Sequence, residues 1–144
     1  MNKFQVVLGI AVVILATGFI DVVAAGGCQW QGYLLDRQCA DSIREDSDPK
    51  TFILHHTKNC ALMPNCRAKG YALFVDGKWY EFDKRGNELA VKLLKASKKE
   101  RGFYVCVAGT AQGKVLKVQS MKEGVEPKSN ETEREKDGND RASH

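Results

Sequence analysis

Asp76-Gly77 stands between two runs of strand-forming residues, Tyr71 to Val75 and Lys78 to Phe82, and this dipeptide constrains the fold more than any other feature. A two-residue reversal of this kind needs backbone conformations that Asp and Gly tolerate, so the flanking runs must pair as an antiparallel hairpin. Other elements follow outward from it. Upstream, Trp30 to Asp36 is an apolar run of strand length. Downstream, Gly86-Asn87 opens a helix in which Leu89, Ala90, Leu93, Leu94 and Ser97 recur at helical spacing, with Lys92, Lys95 and Lys99 on the opposite face. Phe103 to Ala108 alternates, placing Phe103, Val105 and Val107 on one face and Tyr104, Cys106 and Ala108 on the other. Gly109 to Gly113 turns the chain into a last strand over Val115 to Val118. Between the first strand and the hairpin lies Arg37 to Lys69, too long for a structureless loop; a helix is expected over Pro49 to Cys60, capped by Ser47 or Asp48.

The resulting order is strand, long insertion, strand, strand, helix, strand, strand. It predicts a mainly β domain with one or two helices. A five-stranded OB-like barrel uses this order, with its helix between the third and fourth strands and ligand loops at its first and last turns. An open antiparallel sheet packed by one helix has the same order, and both architectures remain open. In either, the cysteine-containing insertion follows the first strand.

The chain ends set the domain boundaries. Lys3 precedes an almost unbroken apolar run from Phe4 to Ile20, and Val23-Ala24-Ala25 offers small residues for cleavage, which predicts an export signal over 1–25. A retained anchor competes with it, although the run is slightly short for a span of about 20 residues. Lipid attachment at Cys28 is a weaker reading, because Asp21 separates the apolar run from that site. The body, 26–121, suits one modest core. Residues 122–144 are too polar to offset the entropy of ordering, and form an expected disordered tail. The chain carries +4 overall; its tail has five basic and seven acidic residues and the signal one of each, so the body stands at +6. Lys92, Lys95, Lys98, Lys99 and Arg101 concentrate that charge, which suits either a solvated helix face or contact with an anionic envelope component or a partner protein.

Chemistry concentrates between His55 and Cys66. This segment holds two imidazoles, the Met63 thioether and the thiols of Cys60 and Cys66 within twelve residues. Five cysteines in an exported chain leave at least one unpaired. The preferred scheme ties Cys39 to Cys60 or Cys66; the others join Cys28 to Cys39 and Cys60 to Cys66, or lipidate Cys28 and pair the remaining four. Cys106, within an alternating strand, reads as a small apolar side chain. As metal ligands, His56, Cys60, Met63 and Cys66 stand at spacings of four, three and three, and suit a soft ion such as copper(I), or zinc if Met63 stays out.

Gly32-Tyr33-Leu34-Leu35-Asp36 with Cys39, His56-Thr57-Lys58 with Cys60-Ala61-Leu62-Met63-Pro64-Asn65-Cys66, Gly70-Tyr71, Asp76-Gly77-Lys78-Trp79-Tyr80-Glu81-Phe82-Asp83 and Gly109-Thr110 together resemble a group of small, exported bacterial proteins without an assigned activity. The resemblance covers the chain from Gly32 to about Met121. It implies a periplasmic or secreted setting, and makes Cys39, Cys60 and Cys66 the cysteines that belong to the pattern. Cys28 and Cys106 lie outside it.

Catalytic motifs are absent. The chain lacks Cys-x-x-Cys, Gly-x-Ser-x-Gly, a phosphate-cradling glycine loop and His-Glu-x-x-His. Tyr71, Phe74, Trp79, Tyr80 and Phe82 with Lys78 and Lys84 form at most a minor nucleic-acid platform, since export makes that use rare. The expected role is therefore a disulfide-stapled binding or structural module of the bacterial envelope, without catalysis, cofactor or, once the signal is removed, a membrane span. The alternative is soft-metal binding or thiol redox chemistry in the His55 to Cys66 segment, with copper or zinc as the ion.

Overall fold

A computed structural model describes residues 27–128. Five strands close into a barrel in the order β1-β2-β3-β5-β4, with β4 returning to β1. The strands are β1 (Trp30–Asp36), β2 (Tyr71–Val75), β3 (Lys78–Phe82), β4 (Tyr104–Gln112) and β5 (Val115–Glu123). The barrel decides against the open sheet. β1 closes it by sharing itself: Trp30 to Tyr33 pair with β4, and Tyr33 to Asp36 pair with β2. Gly32 sits at that switch, where a Cβ would stand 2.2 Å from the Phe74 carbonyl oxygen, so only glycine allows the strands to cross so closely. β3 and β5 pair in parallel, as the OB-like order requires.

The hairpin forms with Asp76 and Gly77 as its two loop residues, both at positive φ, 47° and 77°. α5 (Lys84–Ala96) follows β3 and is capped by the Asp83 carboxylate, which accepts from Gly86 N at 2.9 Å. It starts two residues before the expected Gly86-Asn87. Its apolar stripe covers one end of the barrel, with Ala90 and Leu94 fully buried. Lys92, Lys95, Lys98, Lys99 and Arg101 are exposed. β4 runs through the expected turn at Gly109, absorbing a register shift between Ala108 and Gly109, and reverses at Gly113. Its alternation is as expected: Phe103, Val105 and Val107 enter the barrel interior.

The insertion folds as four short helices, α1 (Arg37–Ser42), α2 (Pro49–His55), α3 (Lys58–Ala61) and α4 (Pro64–Lys69). The single helix expected over Pro49 to Cys60 is thus broken. Asp48 caps α2 as expected, accepting from Thr51 N, but His56 turns extended at φ −65° and ψ 126° and Thr57 starts a new cap. The insertion packs against the outer wall of β1 and β2, where Tyr33, Leu35, Ala40, Ile43, Ile53 and Ala72 form a second core. β1 is therefore buried on both faces over its last five residues.

The hairpin aromatics share in this packing. Tyr71 and Phe82 lie inside, while Tyr80 packs on Trp30 and Phe74 on Trp79, all four partly exposed. Among the described residues no helix is long and apolar enough to cross a membrane. The expected signal, 1–25, and residues 129–144 of the expected tail lie outside the described residues, while Lys122 and Glu123, its first two residues, are strand.

Candidate metal centre

Cysteine pairing differs from expectation. Cys28 is bonded to Cys106, so Cys106 is not a simple apolar side chain and Cys28 pairs neither with Cys39 nor with a lipid. Barrel closure explains the pairing, because it brings the chain preceding β1 alongside β4. Cys39, Cys60 and Cys66 are thiols, so the preferred tether from Cys39 into the insertion is not formed.

Those three thiols converge through a repeated local device. Asp36 ends β1, pairs opposite Tyr71, and caps α1 by accepting from Cys39 N at 3.0 Å. Thr57 caps α3 by accepting from Cys60 N at 3.2 Å. Each cysteine thus occupies the third position of a helix whose cap residue stands three before it, a spacing that fixes its backbone against the cap. Cys66 occupies the same position in α4, after Met63 and Pro64. His56 caps the end of α2, its own N–H donating to Phe52 O at 3.0 Å, which turns its ring back toward Asp36.

The two ionisable side chains at the bottom of this cluster, Asp36 and His56, are 0 % and 7 % exposed. His56 Nε2 stands 2.9 Å from Asp36 Oδ2. Beyond this contact neither atom meets a hydrogen-bond partner among the described residues. Above them, Cys39 Sγ and Cys60 Sγ are 3.9 Å apart and both residues are partly exposed. One donor atom from each of Asp36, Cys39, His56 and Cys60 lies within 4.8 Å of the other three.

Protons follow from this crowding. Burial pushes the Cys39 thiol up to about 12, with the Asp36 carboxylate and the neighbouring thiols adding to it. Burial likewise raises Cys66 to about 11, helped by Asp36 and Cys60 beside it. Burial alone would raise the Asp36 carboxyl as well, but the facing His56 and the Cys39 N–H outweigh it and hold the group below its ordinary range. Cys39 and Cys66 are therefore protonated in the metal-free chain at neutral pH.

Of the four ligands read from the sequence, the structure brings His56 and Cys60 into the cluster, sets Cys66 beside it against Asp36 and Cys60, and leaves Met63 on the surface, 52 % exposed. His55 also points away, its Nδ1 against Thr51 O at 2.8 Å. Asp36 and Cys39 were missed as ligands. Their signal is the cap spacing Asp36-Arg37-Gln38-Cys39, which Thr57-Lys58-Asn59-Cys60 repeats.

Comparison with family models, with curated proteins and with solved structures found no match to this chain.

Proposed function

We propose that this chain is an exported barrel module that holds a transition-metal ion, best matched by zinc, between Asp36, Cys39, His56 and Cys60. The observation that carries the reading is the convergence of Asp36, Cys39, His56 and Cys60, one donor atom from each lying within 4.8 Å of the others, with the two sulfurs 3.9 Å apart. In a tetrahedral zinc site with Zn–S near 2.3 Å, two sulfurs stand about 3.8 Å apart, so the thiol pair is already at ligand spacing. The Asp36 oxygen and the His56 nitrogen need only separate slightly to about 3.4 Å, the corresponding edge for bonds near 2.05 Å. A cation there gives both atoms a further partner and draws the protons from the thiols, which is how metal affinity becomes coupled to pH.

The donor set selects the ion. Two thiolates and an imidazole suit zinc or copper, but a carboxylate is too hard a ligand for copper(I), which favours zinc. Cys66, in contact with Asp36 and Cys60, is placed to support the ligands from behind. Export is supported by the N-terminal apolar segment and by the Cys28–Cys106 bond, which an oxidising compartment preserves. The barrel then acts as the rigid frame for the centre, and catalysis has no motif to rest on.

Elemental analysis of the full chain purified without chelator tests this, with one zinc per chain expected. Cys39→Ser and Cys60→Ser should each weaken zinc binding by at least about 10-fold, as the loss of a ligand must exceed the 10–100-fold effect of outer partners. Met63→Leu should leave it unchanged. Zinc binding that survives both serine variants, or that disappears with Met63→Leu, would place the ion elsewhere.

A further inference from the structure

We propose that the centre is redox-gated: Cys39 and Cys60 close a disulfide with each other when the ion leaves, with a small-molecule disulfide as oxidant. The gating rests on the metal reading above, whereas the bond itself rests on geometry alone. The two sulfurs are 3.9 Å apart, and a disulfide needs about 2.05 Å, so closure asks each sulfur to move by about 1 Å. That is within the reach of a side-chain rotation.

Access points to the same pair. Cys39 and Cys60 are partly exposed, whereas Cys66 is 5 % exposed and lies behind them. An oxidant arriving from solvent meets Cys39 and Cys60 first. The Cys60 sulfur attacks one sulfur of the small disulfide and expels one thiol, which takes a proton. The Cys39 sulfur then attacks the Cys60 sulfur of the mixed disulfide and expels the second thiol. The protein loses two electrons and two protons, and the oxidant becomes two thiols. Both sulfur ligands are consumed by the new bond, so the oxidised centre keeps only Asp36 and His56 and does not take the ion back.

Glutathione disulfide can be used as the probe, with non-reducing peptide mapping of the full chain. The metal-free chain should gain a Cys39–Cys60 link while Cys28–Cys106 persists, and Cys66→Ser should gain it equally. With free zinc at ten times its dissociation constant the link should form about tenfold more slowly, since only the metal-free fraction reacts. A chromophoric chelator should record one zinc released per link formed. A map showing Cys60 joined to Cys66, or no new link in the metal-free chain, overturns the bond whether or not zinc binds. A Cys39–Cys60 link that forms at the same rate with and without bound zinc overturns the gating, and a chain that binds no zinc overturns the metal reading while leaving the bond to stand.

Discussion

Asp36 does three things with one carboxylate: it ends a strand, caps a helix and faces a histidine. The oxygen that caps α1 accepts from the Cys39 N–H, and the other faces His56. Because the folded group is held below its ordinary range, its charged form stabilises the fold. That contribution is complete above the unfolded carboxyl value of about 3.9 and is lost as pH falls through the lower folded value. Asp36→Asn keeps the cap, for which Asn is as good as Asp, but removes the charge facing His56. Thermal midpoints of the metal-free chain between about pH 5 and 2 should fall less steeply in Asp36→Asn than in the parent; parallel curves would show that the acid sensitivity resides elsewhere. At this scale His56, Cys60 and Cys66 were legible because they are close in sequence. Asp36 and Cys39 join them only once β1 and the insertion are folded together, and Met63 was misplaced because a helical spacing was carried across the break between α3 and α4, where Met63 is the cap.

α2 shows how an element positions chemistry it does not itself perform. It supplies no thiol, yet its end turns the His56 ring into the centre, and its grip on the barrel depends on Ile53, which is 1 % exposed in the core between insertion and barrel wall. Ile53→Ala should destabilise the chain by about 2–5 kcal/mol through the lost burial and the cavity left behind. It should also weaken zinc binding measured at a denaturant-free temperature well below the midpoint, since the histidine loses its support. Unchanged affinity in a destabilised variant would mean that α2 docks independently of the centre. The hairpin was readable to the residue, because Asp76-Gly77 fixes its geometry locally. The insertion was less readable. Its helix breaks are imposed by caps at Thr57 and Met63 and by contacts with other elements, such as Lys58 N to Glu100 O at 2.8 Å and Tyr71 Oη to Ala61 O at 2.8 Å.

For the whole molecule, closure is the governing event, and β1 is where it happens. One end of β1 is joined to β4, where Gln29 Oε1 accepts from Gly109 N at 2.8 Å and Trp30 Nε1 donates to Gly109 O at 3.1 Å. The other end delivers Asp36 to the insertion. The strand order made the barrel foreseeable, but the Cys28–Cys106 pairing was not, because its partners lie 78 residues apart and meet only when the barrel shuts. The bond reinforces a seam that hydrogen bonds already hold, so its effect falls mainly on the unfolded chain. For a loop of this length the chain-entropy model gives about 4.5 kcal/mol. Combining Cys28→Ser with Cys106→Ser should therefore lower unfolding free energy in urea by up to this amount and steepen the transition, since the uncrosslinked unfolded chain exposes more surface. Zinc affinity of the folded variant should not change, since the bond and the centre lie at opposite ends of β1 and share no ligand. A loss of affinity in parallel with stability would show that closing the barrel and assembling the centre are one cooperative step, and that the seam at β4 holds Asp36 in place through the length of the strand.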